Sequence, residues 1–159
     1  MHSKSGPGRY NGKADTLVVI PAFNEQRNIA RVVQEIKKSL QKADILVIND
    51  CSFDDTSAVA RGINDVKVID LPCNLGVGGA MQAGFKYALA SSYDHVVQID
   101  GDGQHVPEEV SSLFQAMEKN RCDMVIGSRF LGVGSFRSTP CRRMGIKFFD
   151  YLFRALVNT

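Results

Sequence analysis

Residues 16–49 read TLVVIPAFNEQRNIARVVQEIKKSLQKADILVIN, in which two β-branched runs enclose an amphipathic stretch. Thr16–Ile20 and Ile45–Asn49 are nearly continuous apolar runs, which are typical of strands covered on both faces of a parallel sheet. Between them, apolar residues recur at the spacing of one helix face: Ile29, Val32, Val33, Ile36 and Leu40. This order of strand, helix and strand predicts a βαβ unit.

The same alternation of apolar runs and helical stripes continues along the chain. Three further strands are predicted at Val66–Ile69, His95–Ile99 and Met124–Ile126. A second helical stripe consists of Val110, Leu113, Phe114 and Met117. The sequence therefore predicts an α/β fold with a mostly parallel sheet.

Length and composition limit the class of protein. The chain has 159 residues, 44% hydrophobic and 23% charged, which predicts one globular domain over residues 16–159. Its net charge of +2 lacks the positive field typical of nucleic-acid binders. No stretch has the roughly 18–20 apolar residues of a membrane-spanning helix.

The four cysteines have no paired spacing, which indicates free thiols. Residues 1–15 are expected to be a disordered leader or tag remnant.

Four polar segments follow the first four predicted strands. They are loop 1 (residues 21–25, PAFNE), loop 2 (50–55, DCSFDD), loop 3 (74–79, NLGVGG) and loop 4 (100–105, DGDGQH). Ligands of open α/β sheets bind beyond the carboxyl ends of the strands. We therefore expect the four loops to converge on one binding site.

Loop 4 carries the clearest chemistry. Asp100 and Asp102, separated by one glycine, place two carboxylates on a tight turn that can face one hard divalent cation. Mg²⁺ or Mn²⁺ bound there would bridge a diphosphate, and Gln104 or His105 would complete its ligands. The alternative is a turn whose aspartates cap the following helix, because Asp-Gly steps are common turn formers.

The remaining loops allow two interpretations each. The glycines of loop 3 suggest a dinucleotide-binding turn, but Met81 occupies the place of the third glycine, so a tight strand-to-helix turn is the alternative. Asn24 and Glu25 either contact a ligand or begin the first helix. Asp50 directly follows an apolar strand, where a carboxylate can accept hydrogen bonds from a base or ribose.

In this order, IPAFNE (20–25), NDCSFDDT (49–56), NLGVG (74–78) and DGDGQH (100–105) resemble the motifs of family-two glycosyltransferases. The likeness is greatest to dolichyl- and undecaprenyl-phosphate sugar synthases and extends from Thr16 to about Val157. It implies the GT-A fold, a three-layer α/β/α sandwich with a mostly parallel sheet. Cys51 departs from the usual glycine of the second motif, and Phe23 stands where tyrosine is common.

The resemblance also implies roles for individual residues. Asp100, Asp102 and Gln104 would bind Mg²⁺ or Mn²⁺, and Arg129 would act with Asp102 in catalysis. The residues expected to contact the nucleotide sugar are Pro21, Phe23, Asn24, Glu25, Asp50, Asn74, Gly78, Asp100 and Gly101. The residues expected to bind the acceptor phosphate are Arg129, Arg142 and Arg143. For these arginines, solvent exposure or a structural ion pair is the alternative.

The implied reaction is an inverting transfer of a hexose from a nucleotide-diphosphate sugar, of the GDP-mannose or UDP-glucose type, to a polyprenyl phosphate. An ionised phosphate acceptor attacks without a general base, so alignment and electrostatic stabilisation would carry catalysis. One alternative is a nucleotide-sugar-binding domain without transfer activity. Others are a family member acting on a polysaccharide or another glycan and, from the glycine turn alone, a dinucleotide-dependent oxidoreductase.

The C-terminal part predicts a membrane location. Relatives continue beyond the position of Thr159, so the domain is expected to be truncated at its C terminus. Residues 144–157 combine apolar and basic side chains in a pattern suited to an interfacial helix, although packing onto the domain explains the apolar residues as well. The expected location is peripheral, at the cytoplasmic face of a membrane, and homo-oligomerisation is left open.

Overall fold

The computed structural model describes residues 15–103 and 107–127 of the chain. The strands are β1 (Thr16–Ala22), β2 (Asp44–Asn49), β3 (Val66–Asp70) and β4 (His95–Gln98). The helices are α1 (Ile29–Ser39), α2 (Thr56–Arg61), α3 (Gly76–Ala90) and α4 (Val110–Asn120), and a 3₁₀ turn, Pro107–Glu109, precedes α4. The chain divides into two compact units, Met1–Gln115 and Ala116–Thr159, and the whole sheet belongs to the first.

The strands form one parallel sheet in the order β3-β2-β1-β4. β1 lies between two neighbours, where Leu17 pairs with Asp44 of β2 and Thr16 pairs with His95 of β4. Parallel strands need long connections, which the helices supply. Because all the strands run in the same direction, the segments that follow them emerge at one edge, hereafter the carboxyl edge.

Side chains of β1 alternate between the two faces of the sheet. Val18 and Ile20 pack with α1 and α2 in one buried cluster, whereas Leu17 and Val19 pack with α3 in another. These four side chains are completely buried. Helices therefore cover both faces of the sheet, which confirms the three-layer α/β/α arrangement expected from the sequence.

The two predicted helical stripes differ in their burial. In α1 the stripe is fully confirmed, and its buried members are Ile29, Val32, Val33 and Ile36. Lys37 and Lys38 occupy the last turn of α1, where positive charge is favourable. In α4 only Val110 is buried, and the rest of the stripe is half-buried.

Helix α3 approaches the sheet closely at a glycine. Gly84 faces Val19, and a Cβ placed on Gly84 would lie 2.5 Å from a methyl carbon of Val19. Ala80 and Ala88 are buried on the same helix, so small side chains allow the helix backbone to lie near the strands.

Each of the four strands differs from the prediction at one end: β1 continues through Pro21 to Ala22, β2 begins at Asp44, β3 ends at Asp70 and β4 ends at Gln98. The Ala22 carbonyl accepts a hydrogen bond from the Asp50 N–H of the segment after β2. Successive residues of a strand point their backbone groups to opposite sides, so the nitrogen of Pro21 points to the β4 side. The pairing with β4 ends at Val19, so proline breaks no ladder bond.

The prediction of a fifth strand at Met124–Ile126 is wrong. Residues 124–126 have no strand conformation, and Met124 and Ile126 are 72% and 75% exposed. No strand pairs with them among the described residues. Three apolar residues cannot satisfy their backbone groups or bury a face without such a neighbour.

Candidate functional site

Loops 1 and 2 lie side by side at the carboxyl edge and are joined by hydrogen bonds. The Asn24 N–H donates to the Ser52 hydroxyl at 3.0 Å, and the Phe53 N–H donates to the Asn24 side-chain oxygen at 2.9 Å. Asn24 has a φ of 56°, a left-handed conformation that asparagine adopts more readily than most residues. Asn24 therefore connects the loops and does not cap α1, whose N-cap is Asn28.

Further hydrogen bonds extend this connection towards α2. The Glu25 N–H donates to the Thr56 hydroxyl at 2.8 Å, and the Gln26 N–H donates to an Asp54 carboxylate oxygen at 3.1 Å. The Asp55 N–H donates to the Gln26 side-chain oxygen at 2.9 Å. Residues 24–26 and 52–56, hereafter the loop junction, are thus held together by protein contacts alone.

Asp54 is a carboxylate of the loop junction whose titration is shifted. Burial raises the pKa of Asp54, but hydrogen bonds from the Thr56 hydroxyl and from the N–H groups of Gln26 and Thr56 together outweigh this effect. The net pKa of Asp54 lies below its ordinary value of 3.8. Folding therefore favours the ionised carboxylate.

We expect the loop junction to lose stability in acid. The Asp54 carboxyl group has a lower pKa in the folded chain than in the unfolded chain, so its ionised form stabilises the fold. This contribution is fully present above the unfolded-state pKa of 3.8 and is lost as the pH falls through the folded-state pKa. Urea unfolding at about pH 6 and about pH 3 checks this by comparing wild type with Asp54→Asn, whose amide does not titrate. The variant should lose less stability than wild type between the two pH values, and equal losses would contradict the assignment.

Cys51 adopts a left-handed φ of 59° in loop 2. Glycine reaches this conformation freely, whereas a Cβ adds a cost of roughly 1–2 kcal/mol. This backbone requirement explains why the related motifs carry glycine here. Cys51 keeps the same turn, and its thiol lies half-buried, 4.0 Å from the Pro72 carbonyl oxygen.

Asp50 connects loop 2 to the segment before α3. Its side chain is buried, and its Oδ1 accepts a 2.7 Å hydrogen bond from the Leu75 N–H. The Asp50 N–H donates to the Ala22 carbonyl at 2.9 Å. The sequence predicted an acceptor for a base or ribose, whereas the structure shows that one carboxylate oxygen already holds the loop 3 backbone.

Loop 3 turns sharply into α3. The Asn74 side-chain oxygen accepts a hydrogen bond from the Gly76 N–H at 3.1 Å, and Gly76 has a φ of 70° that only glycine adopts without strain. Gly78 is exposed, and a Cβ placed on it would meet no atom within 4 Å. Packing therefore does not explain why glycine occupies position 78. A glycine there leaves the space beside the first turn of α3 unoccupied.

Loop 4 packs directly onto loop 1. Gly101 is buried, and a Cβ placed on it would lie 3.3 Å from the Pro21 carbonyl oxygen and 3.6 Å from the Glu25 side chain. Asp100 accepts a 3.0 Å hydrogen bond from the Gln98 side chain. The structure thus brings the predicted residues of loops 1 and 4 into contact.

Arg31 of α1 lies against loop 4, and no sequence motif indicated this contact. Gly103 has a φ of 74°, and a Cβ placed on it would overlap the Arg31 guanidinium group. Arg31 also forms an ion pair with Glu35 at 3.1 Å. A basic side chain therefore lies beside the turn that carries the two aspartates of loop 4.

Asp100 and Asp102 fit a metal ion that arrives with a diphosphate. Both side chains are partly exposed, and within residues 15–103 and 107–127 no group of three or more histidines, cysteines or carboxylates could hold a metal by itself. Mg²⁺ is commonly held by one or two carboxylates together with substrate phosphates and water. Two aspartates on one turn match that donor set better than an all-protein cage.

Several predicted residues cannot be placed. Gln104, His105, Arg129, Arg142 and Arg143 lie outside the described residues, as does the predicted interfacial helix at residues 144–157. In the described part of the chain, no helix has both the length and the apolarity that a membrane crossing requires.

A cavity of about 400 Å³ lies at the opposite edge of the sheet, beside Thr16, Ala43 and Phe114. Among the described residues, its lining contains lysine but no carboxylate, histidine or cysteine. The chemistry of the four loops therefore marks the carboxyl edge, and not this cavity, as the candidate functional site.

Residues 17–156 match the family described as Glycosyl transferase family 2. This chain belongs to that family. The resemblance seen in the four motifs is thus confirmed, and the structure has the GT-A fold of its structural neighbours.

Three proteins illustrate what this chain is similar to. The polyprenol monophosphomannose synthase of Mycolicibacterium smegmatis is 37% identical over 134 residues, which cover 81% of this chain and 50% of that protein. The undecaprenyl-phosphate mannosyltransferase of Micrococcus luteus is 33% identical over 141 residues, covering 86% of this chain and 57% of that protein. The chain therefore spans about half the length of these relatives.

The third relative is a solved structure. The glucosyl-3-phosphoglycerate synthase of Mycobacterium tuberculosis, in complex with Mn²⁺, UDP and glucosyl-3-phosphoglycerate, has a TM-score of 0.52 and 26% identity. The match covers 72% of this chain and 46% of that chain.

Proposed function

We propose that this family-two glycosyltransferase chain transfers a hexose from a nucleotide-diphosphate sugar to a polyprenyl phosphate. The observation that carries the proposal is the packing of loop 4 onto loop 1 through Gly101, which brings the two aspartates beside the loop junction. The names of two relatives, a polyprenol monophosphomannose synthase and an undecaprenyl-phosphate mannosyltransferase, support mannose as the sugar and a polyprenyl phosphate as the acceptor.

The roles of the site residues follow from the chemistry of such a donor. Loops 1 and 2 would bind the nucleoside, and Asp100 and Asp102 would hold Mg²⁺ or Mn²⁺ against the diphosphate. The metal, when bound, would neutralise charge on the leaving diphosphate. Mn²⁺ and UDP in the related glucosyl-3-phosphoglycerate synthase support this arrangement.

The acceptor would meet the donor with its own negative charge. A polyprenyl phosphate oxygen is already ionised and attacks the anomeric carbon without a general base, opposite the leaving nucleotide, so the configuration inverts. Arg129, Arg142 and Arg143 would bind the acceptor phosphate by charge-assisted hydrogen bonds. Residues 144–157 would lie at the membrane surface from which the lipid is taken. A product that retains the donor's anomeric configuration would contradict this mechanism.

A second candidate is a nucleotide-sugar-binding domain without transfer activity. Binding of donor without release of nucleotide in the presence of polyprenyl phosphate would support this alternative over transfer.

Calorimetric titration of GDP-mannose and of UDP-glucose tests the proposal. Each donor is titrated with Mn²⁺ and, as the matched control, with EDTA. We expect one donor to bind at least about ten-fold more tightly with Mn²⁺, because a metal held by two carboxylates is completed by the diphosphate. If neither donor binds in either condition, the proposed function is wrong for this chain.

A further inference from the structure

Two cysteines lie on neighbouring segments of the carboxyl edge. Cys51 belongs to loop 2, and Cys73 directly precedes loop 3. Both thiols are free, and Cys51 is half-buried whereas Cys73 is exposed. The Cys51 sulfur lies 4.0 Å from the carbonyl oxygen of Pro72, the residue bonded to Cys73. In a trans peptide this oxygen lies about 2.8 Å from the next Cα, so the Cα of Cys73 lies within about 7 Å of the Cys51 sulfur.

Hydrogen bonds hold the segment around Cys73 against loop 2 on both sides. Before it, the Leu71 N–H donates to the Asn49 carbonyl oxygen at 2.9 Å. After it, the Leu75 N–H donates to the Asp50 carboxylate at 2.7 Å. The two acceptors immediately precede the cysteine of loop 2. The backbone therefore keeps the two cysteines close together.

The spacing of the neighbouring strands matches the geometry of a disulfide. Asn49 pairs with Asp70 at the ends of β2 and β3, so this register places Cys51 opposite Pro72 and Cys73 one position further on. Parallel strands lie about 4.8 Å apart and rise about 3.3 Å per residue, which puts positions offset by one residue about 6 Å apart. The Cα atoms of bridged cysteines are usually about 4.4–6.8 Å apart. A bridge therefore needs rotation of the side chains and little movement of the backbone.

The backbone of loop 2 makes cysteine an unusual residue at position 51. Its φ of 59° favours glycine, which the related motifs carry. Serine or alanine would bear the same conformational cost as cysteine without supplying a thiol. The thiol is therefore the feature that sets this position apart.

We propose that Cys51 and Cys73 are a modification site, which a peroxide oxidises to a reversible disulfide that joins loop 2 to the segment before loop 3. The exposed Cys73 reacts first: its sulfur attacks a peroxide oxygen, the O–O bond breaks and water leaves, which gives a sulfenic acid. The Cys51 sulfur then attacks the sulfenic sulfur, the S–S bond forms, and the S–O bond breaks. The hydroxyl group leaves with the Cys51 proton as a second water. Two thiols are thus oxidised, and one hydrogen peroxide is reduced to two waters.

The bridge would act on the proposed donor site through Asn74, the residue after Cys73. The Asn74 side-chain oxygen accepts a hydrogen bond from the Gly76 N–H at 3.1 Å and so holds the turn into α3. Rotation of Cys73 towards loop 2 pulls on this turn, so donor binding should weaken. This consequence rests on the proposed function, whereas formation of the bridge does not.

Tryptic digestion without reductant tests the bridge directly. The intact chain is treated with hydrogen peroxide and its remaining thiols are alkylated. Cleavage after lysine and arginine then leaves Cys51 in peptide 43–61 and Cys73 in peptide 68–86, each without another cysteine. We expect these peptides to be linked, with a mass about 2 Da below their sum, and dithiothreitol to separate them. Cys122→Ser is the matched control and should give the same link.

Two further variants and a non-reducing gel make the bridge falsifiable. Cys51→Gly and Cys73→Ser should each abolish the link. Conversion of Cys73 to a sulfinic or sulfonic acid while Cys51 is still alkylated would show that the two sulfurs do not meet. A link from either residue to Cys122 or Cys141 would also overturn the proposal, as would a linked dimer on the gel.

Calorimetry of the oxidised chain tests the effect on the donor. GDP-mannose and UDP-glucose are titrated with Mn²⁺. For the donor that binds the reduced chain, we expect peroxide to weaken binding about 3- to 10-fold, the size of one lost hydrogen bond, and dithiothreitol to restore it. Cys51→Gly should bind this donor equally before and after treatment.

The outcomes separate this inference from the proposed function. Unchanged donor affinity in a fully bridged chain would overturn the effect on the donor. A reduced wild-type chain that binds neither donor would end the proposed function, while the linked peptides would still decide whether the bridge forms.

Discussion

Replacement of Asp102 by alanine is expected to weaken donor binding in the presence of Mn²⁺ by about 100-fold or more. Removal of a group that merely supports a metal ligand costs about 10- to 100-fold in metal affinity, so loss of a proposed ligand should cost at least the upper end of that range. Without the metal, two negatively charged groups, the diphosphate and the remaining Asp100 carboxylate, would face each other. In EDTA the metal is absent from wild type as well, and the variant carries one carboxylate fewer, so donor affinity in EDTA should not fall.

The measurement is calorimetric titration of the donor into Asp102→Ala and Asp102→Asn, each with Mn²⁺ and with EDTA. Asp94→Ala is the matched control, since Asp94 is an exposed aspartate that precedes β4 at the other edge of the sheet. The asparagine variant keeps the shape of the side chain and separates loss of charge from collapse of the turn. A variant at position 102 with the full Mn²⁺ enhancement would rule out Asp102 as a metal ligand.

The second large effect concerns folding. We expect Gly84→Ala to lower the free energy of unfolding by about 1–3 kcal/mol, although alanine is the better helix former. The new methyl group would lie 2.5 Å from a side-chain carbon of Val19, which is completely buried in β1. β1 is paired on both sides, so the strand cannot retreat and α3 must move outward.

Urea unfolding of Gly84→Ala and Gly78→Ala measures this effect against a matched control. Gly78 lies in the same helix, but a Cβ there meets nothing within 4 Å, so its replacement should be neutral or stabilising by up to about 1 kcal/mol. A loss of 1–3 kcal/mol corresponds to roughly 2–4 °C in Tm for each kcal/mol in a chain of this size. Equal stability of the two variants would show that α3 does not pack as tightly as described.

β1 and β2 could be predicted from apolar runs because both strands are buried on both faces, whereas β3 and β4 are only partly buried and were recognised by their apolar residues alone. The same pattern failed at Met124–Ile126, since periodicity reports apolar content and does not reveal whether a neighbouring strand exists. The end of β1 was misplaced for a related reason. Whether Pro21 interrupts a strand depends on which side of it is paired, and only the sheet topology decides that.

The position of the candidate site was predictable, but its internal contacts were not. Polar loops after parallel strands must meet at one edge, whereas the hydrogen bonds of Asn24 and Gln26 depend on which side chains reach across from a neighbouring loop. The spacing of Asp54 and Thr56 signals a local turn and gives no hint of the bonds to loop 1. For Arg31, a helix residue that contacts Gly103, the sequence carries no signal.

The order of the strands has a consequence for the path by which the chain folds. β1 and β2 are joined by a single helix, whereas β1 and β4 pair only after α1, β2, α2, β3 and α3 have been synthesised and brought together. Pairing between distant segments costs the most loop-closure entropy and slows folding. β4 should therefore dock last, and the turn bearing Asp100 and Asp102 would reach its place against loop 1 only in the final step. An intermediate that lacks this step would have an intact loop junction but would lack the turn that is proposed to bind the metal.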